Sequence, residues 1–202
     1  MLKTRWLRLM VSLGFSDNME AYINIIGAYS EKGRSYHTIA HLESVLKCLD
    51  SVDHLAQRRD EVEIALWFHD AVYKPFSSSN ESDSAKWASD FLQSNGASDT
   101  SQKRVFDLVM ATAHQSSTNS IDENLIVDID LSVLGRSRAD YNAFSRGVRE
   151  EYRRVPSFIY RRKRKEVLAS FLSRDRIYTF EQFQKKYEAS ARENIAKEIE
   201  TL

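Results

Sequence analysis

The sequence predicts an all-α fold, a helical bundle forming a single domain over residues 1–202. Three observations predict it. Only two prolines and six glycines interrupt the chain, and long helical patterns run between them. Apolar residues recur at spacings of three and four, the period of one helix face. Hydrophobic residues make up 42% and charged residues 29%, which gives helices a face to bury and a face to solvate.

The elements follow in order. Residues 3–13 form a first amphipathic helix, because Arg5 and Arg8 interrupt its apolar residues and no small-residue cleavage site follows. Glu20 to Tyr29 forms a second, with Tyr22, Ile25 and Ile26 on one face and Gly33 as the stop beyond it. Ile39, Leu42, Leu46 and Leu49 mark the buried face of a third. His37 and His41 are four apart and lie on one side of that helix. They fit co-ligands of one metal, a ligand plus a substrate contact, or surface decoration. His54 sits in a polar stretch and receives no role.

A fourth helix runs from Asp60 to Tyr73 and stops before Pro75. Val62, Ala65, Leu66, Val72 and Tyr73 form its apolar stripe, and His69 falls on the same face with Asp70 directly after it. An imidazole and a carboxylate in such a stripe need a partner, and a divalent metal suits both. The plainer alternative is a core histidine bonded to a nearby carbonyl. The loop Lys74–Ser79 follows, where a substrate entrance could lie. Ser78 and Glu81 have capping-box spacing for a helix over 80–95, ended by Asn95 and Gly96.

Residues 101–114 form the next helix, with Val105, Leu108, Val109 and Thr112 on one side and His114 at its close. A loop covers 115–120. The segment 124–135 reads as a strand by period two and as a helix by period 3.6. The helical flanks favour the helix, which puts Asp130 among Ile126, Val127, Val133 and Leu134 and makes it, not Asp128, the buried carboxylate that needs a partner. Helices over 138–154 and 157–173 are separated at Pro156. The run Arg161–Lys165 reads as solvated helix turns. Thr179 and Gln182 repeat the capping-box spacing, and the last helix buries Phe183, Tyr187, Ala191 and Ile195.

Composition bounds the function. Formal net charge is zero, which argues against a nucleic-acid binder. No apolar run approaches a membrane span. Cys48 is the single cysteine, so no internal disulfide forms and a reducing, cytoplasmic setting fits. Exposed faces on the terminal helices leave room for a homodimer.

The chemistry-bearing residues are His41, His69, Asp70 and Asp130, on or beside the buried faces of three helices. Their N and O donors suit Mn, Mg, Fe, Co, Ni or Zn as the divalent ion. This order, His … His-Asp … Asp, resembles the HD superfamily of metal-dependent phosphohydrolases, and most closely its predicted phosphohydrolases of about 200 residues. Further stretches carry the resemblance: Arg34 to His37, Ala65 to Tyr73, Asn80-Glu81 with Ser84-Ala85, Ala111 to His114, Asp128 to Gly135, Glu150 to Tyr152, and Ala191 to Asn194. Together they span about residues 20–200. Gly33 stands where a proline is usual.

The resemblance implies an HD-like helical fold whose metal-binding core covers about 34–135, with C-terminal helices over 137–201. It implies hydrolysis of a phosphomonoester or phosphoanhydride, a nucleotide foremost, by a metal-activated water. His41, His69, Asp70 and Asp130 would hold the metal, and Asp70 would also orient the water. Arg34 and His37 would bind phosphate or protonate the leaving group. For Arg34 the alternative is a surface arginine, and for His37 a residue supporting the ligands from behind. His114 fits a fifth ligand, a substrate contact or a helix cap. Lys74 is a candidate phosphate contact. Many HD nucleotidases carry a carboxylate three residues after the His-Asp pair, where this chain has Tyr73. Glu81 is then the first candidate for the missing acid or base, with capping as its other role. Two other classes compete: a non-catalytic metal- and nucleotide-binding regulatory protein, and a di-iron oxygenase, which would need more histidine ligands.

Overall fold

The computed structural model describes residues 1–114 and 118–202, so residues 115–117 of the expected 115–120 loop lie outside the described residues. Every α-helix, 3₁₀ turn and π turn described belongs to an all-α fold, with no strand among the described residues. Two compact units divide the chain, Met1–Val127 and Asp128–Leu202.

The first unit contains α1 (Leu2–Leu13), α2 (Met19–Tyr29), α3 (Ile39–Val52), α4 (Arg59–Phe68), α5 (Asn80–Ser94), α6 (Asp99–Ala111) and the start of α7 (Ile121–Leu131). Helix α4 is the core element and packs against α1, α3, α5 and α6. Every residue from Val62 to Phe68 is buried, so its last two turns have no solvated face. Aromatic rings close around it. Trp67 meets Trp6 edge-on at 5.2 Å, and Phe68 meets Trp87 at 5.6 Å. Each such side chain, fully buried, contributes roughly 1.5–3 kcal/mol. Glu63 is buried on the same helix. Its carboxylate is paired by Arg5 at 2.7 Å and Arg59 at 2.6 Å, as a charge out of water must be. Asp122 in the first turn of α7 accepts the backbone N–H groups of Gln57 at 2.7 Å and Arg58 at 3.0 Å, tying down the entry to α4.

The second unit contains the end of α7, a 3₁₀ turn over Ser132–Gly135, α8 (Arg138–Glu151), α9 (Ser157–Leu172), α10 (Glu181–Phe183), a π turn over Gln184–Glu188, and α11 (Ala189–Thr201). Asn194 on α11 donates to the carbonyls of Leu134 and Arg136, both at 3.0 Å, which fixes the 3₁₀ turn against that helix. Phe183, Ala191 and Ile195 are buried as the periodicity predicts, while Tyr187 is only partly covered.

Three expected helix boundaries and two expected caps differ. Helix α4 ends at Phe68, not Tyr73. The Leu66 carbonyl, which would accept from the N–H of Asp70 in a continued helix, accepts instead from Nδ1 of His69 at 2.8 Å, and the Asp70 N–H goes to the Tyr29 hydroxyl at 3.3 Å. Helix α3 begins at Ile39, so His37 precedes the helix instead of riding on it. Helix α6 ends at Ala111, and His114 lies beyond it at φ 56°, in the left-handed region. Neither capping box forms as the spacing predicts. Ser79, not Ser78, precedes α5, and Phe180, not Thr179, precedes α10.

Candidate metal centre

Three donor atoms of the first unit converge. Nε2 of His69 lies 3.0 Å from Oδ2 of Asp70, and Nε2 of His41 lies 3.2 Å from that same oxygen. The two Nε2 atoms are 3.1 Å apart. His41 comes from the first turn of α3, and His69 and Asp70 from the end of α4. Both histidines are buried, and the Asp70 carboxylate is 19% exposed, so the cluster opens to solvent on its Asp70 side.

The hydrogen bond from Nδ1 of His69 to the Leu66 carbonyl fixes the ring's tautomer. The proton sits on Nδ1 and the lone pair on Nε2, the atom that faces His41 and Asp70. Burial alone would raise the Asp70 carboxyl. The surrounding imidazoles of His69, His37 and His41 outweigh that effect and hold it well below the usual carboxylate range. An ionised carboxylate with two imidazole nitrogens is the donor set of a borderline divalent ion. Donors at about 2.1 Å from such an ion and at right angles to each other are about 3.0 Å apart, so the cluster fits one.

Asp130 lies in the last turn of α7 and is partly exposed, whereas Asp128 is fully buried. This reverses the burial that periodicity assigns to the two. Asp128 accepts the backbone N–H of Thr179 at 2.9 Å and of Phe180 at 2.8 Å. It is the carboxylate that closes the chain leading into α10, and its partner is backbone, not metal.

The other predicted site residues fall into distinct environments. Arg34 is a buried clamp, its side chain 3% exposed. It donates to the carbonyls of Asp70 at 2.6 Å, Ala71 at 2.8 Å and His37 at 3.3 Å, and Nε and Nη2 reach Glu31. Its donor fork is occupied within the protein, so it positions the Asp70 backbone and has no free fork for phosphate. His37 is half-buried and stacks on Tyr73, ring centres 4.0 Å apart, with the His41 ring at 6.1 Å. Lys74 is exposed, while its backbone N–H donates to Asn80 at 2.9 Å. Glu81 is in the first turn of α5 and half-buried. His114 is half-buried past the end of α6.

Sequence reasoning missed Tyr29, Asn80 and Ser84 as parts of this site. The Tyr29 hydroxyl takes the Asp70 N–H, and Ser84 takes the Val72 N–H at 3.0 Å. With Asn80 they replace the helical partners that residues 70–74 lose. Asn80 and Ser84 stand within the stretches that carry the HD resemblance, the one signal that could have found them. Tyr29 has no local signal, since it reads as the apolar end of α2.

No family model, curated protein or solved structure matches this chain. Among the described residues no helix is long and apolar enough to cross a membrane.

Proposed function

We propose that this chain is a metal-dependent phosphohydrolase of HD type, acting on a phosphomonoester or phosphoanhydride of a small molecule, a nucleotide foremost. The observation that carries the reading is the convergence of His41 Nε2, His69 Nε2 and Asp70 Oδ2 within 3.0–3.2 Å. These are the residues to which the HD resemblance gives the metal, and Asp130 is the fourth ligand in this reading. When bound, the ion supplies an acidified water and polarises the phosphoryl group.

The chain's own residues do the rest. His41, His69 and Asp70 hold the ion. Asp70 orients the attacking water as a hydrogen-bond acceptor, a role its ionised state suits. His37, held against Tyr73, stands beside the ligand His41 and gives a proton to the leaving group. Lys74, exposed beyond the His-Asp pair, binds substrate phosphate, and His114 contacts the substrate. Glu81 is the reserve acid or base in place of a carboxylate at Tyr73. Arg34 acts through the Asp70 backbone. The single cysteine accords with the reducing, cytoplasmic setting of such enzymes.

The test is phosphate release from a panel of nucleotides and sugar phosphates with Mn, Mg, Co, Ni or Zn, wild type beside Asp70→Ala. Metal-dependent turnover in wild type alone is the expected result. No turnover with any metal overturns the hydrolase reading for those substrates. The occupied fork of Arg34 and the tyrosine at position 73 favour the second reading, a non-catalytic metal- and nucleotide-binding regulatory protein. Nucleotide binding without turnover would establish it.

A further inference from the structure

The second unit contains a pocket that the proposed hydrolysis does not use. It has a volume of about 290 Å³ and lies between α8, the start of α9 and the end of α11. Arg146 and Arg149 enter from α8, Tyr160 and Arg161 from α9, and Ser145 and Thr201 add hydroxyls. One carboxylate side chain, Glu198, lines it, and that group is already committed. It pairs with Arg164 at 2.9 Å and accepts from the Tyr141 hydroxyl at 2.6 Å. Arg146, Arg149 and Arg161 therefore have no side-chain carboxylate of the wall to themselves, and Leu202 and Ser157 complete the lining.

A second observation points to a ligand. Tyr160 is 8% exposed, and its hydroxyl is buried with no hydrogen-bond partner. A buried phenol ordinarily finds a partner. The guanidinium of Arg149 lies over the same ring, 4.6 Å from its centre, and spends two bonds on the carbonyls of Tyr152 and Val155. That leaves it further N–H donors. Arg146 and Arg161 are exposed and form no ion pair among the described residues. Along the outer side of α9 the positive lining continues through Arg162 and Lys165.

We infer that this pocket is an anion site for a phosphate group, with Tyr160, Arg149, Arg146 and Arg161 as its donors. Planar guanidinium forks match phosphate oxygens, and a neutral phenol adds a donor without a charge penalty. The volume is at the small end for ligand pockets, which suits inorganic phosphate or the phosphate end of a small metabolite, not a polymer. The site is independent of the metal centre and does not rest on the hydrolase reading.

The experiment uses full-length Asp70→Ala protein stripped of metal with a chelator, so that the metal centre contributes nothing. Calorimetric titrations with inorganic phosphate and with glucose 6-phosphate form the two arms. Saturable binding of one ligand per chain is expected in at least one arm, and the tighter arm identifies free phosphate or a phosphate monoester as the source. Arg161→Ala, a change at an exposed residue, should weaken the Kd about tenfold, the loss expected for a charged hydrogen bond. Tyr160→Phe keeps the ring and should weaken it several-fold. No saturable binding in either arm overturns the inference, as does binding that neither substitution changes.

Discussion

His69 gives its Nδ1 proton to the carbonyl of Leu66, one turn back on α4, at 2.8 Å. That one bond does two things. It removes the acceptor that would continue the helix through Asp70, and it leaves the Nε2 lone pair facing His41 and Asp70. The same contact thus ends α4 and prepares a ligand.

The tautomer is measurable. Long-range ¹⁵N–¹H spectra of the imidazoles should show His69 protonated at Nδ1 near neutral pH. Addition of Zn²⁺ should shift its Nε2 resonance and leave the Nδ1 proton in place. An Nε2–H tautomer in the metal-free protein would contradict the arrangement.

Arg34 anchors the turn after that helix. Arg34→Ala leaves the carbonyls of Asp70 and Ala71 without their donors at 2.6 and 2.8 Å. The expected cost is about 2–4 kcal/mol, and metal affinity should fall as well, because the Asp70 backbone loses its anchor. Arg34→Lys should rescue little, since one ammonium cannot span both carbonyls and Glu31. Thermal unfolding and Zn²⁺ titration of the two variants check this.

Much of the fold was legible in sequence because helix faces repeat locally. The third and fifth helices, the helical choice for 124–135 and the break at Pro156 all follow from period and punctuation. The end of α4 was not legible. Apolar spacing runs on through Val72 and Tyr73, while the partners that stop the helix come from Tyr29, Arg34 and Ser84, far away in sequence. The relative burial of Asp128 and Asp130 was misjudged for the same reason. Periodicity ranks faces by their own neighbours and cannot foresee that backbone N–H groups of Thr179 and Phe180 will bury the weaker-looking carboxylate. The His41, His69 and Asp70 cluster was legible, because two imidazoles and a carboxylate on buried faces demand a shared partner.

Gly135 tests how closely the second unit is packed. A methyl group there would run into Cβ of Tyr187 and lie 2.5 Å from the carbonyl oxygen and 2.7 Å from Cα of the same residue. Two of those atoms are backbone of the π turn, which cannot swing aside as a side chain can. Gly135→Ala should destabilise by about 1–3 kcal/mol, lowering the melting temperature by roughly 2–12 °C. An unchanged melting temperature would show that the π turn yields freely.

Glu198 gives the chain a built-in acid sensitivity. Burial would raise its carboxyl, but the hydrogen bond and charge of Arg164, with the Tyr141 hydroxyl, bring it below the ordinary glutamate range. A carboxyl whose pKa is lower in the folded than in the unfolded chain contributes stability above its unfolded value, and that contribution is lost as pH falls through the folded value. Glu198→Gln leaves Arg164 buried without its counter-charge and should cost about 3–5 kcal/mol at pH 7. As pH drops below about 4.3, where an unfolded glutamate begins to take up its proton, the gap between wild type and variant should narrow. Urea unfolding of both proteins from pH 7 down to pH 3 measures it, and a gap that stays constant or widens towards acid would refute the assignment of the ion pair.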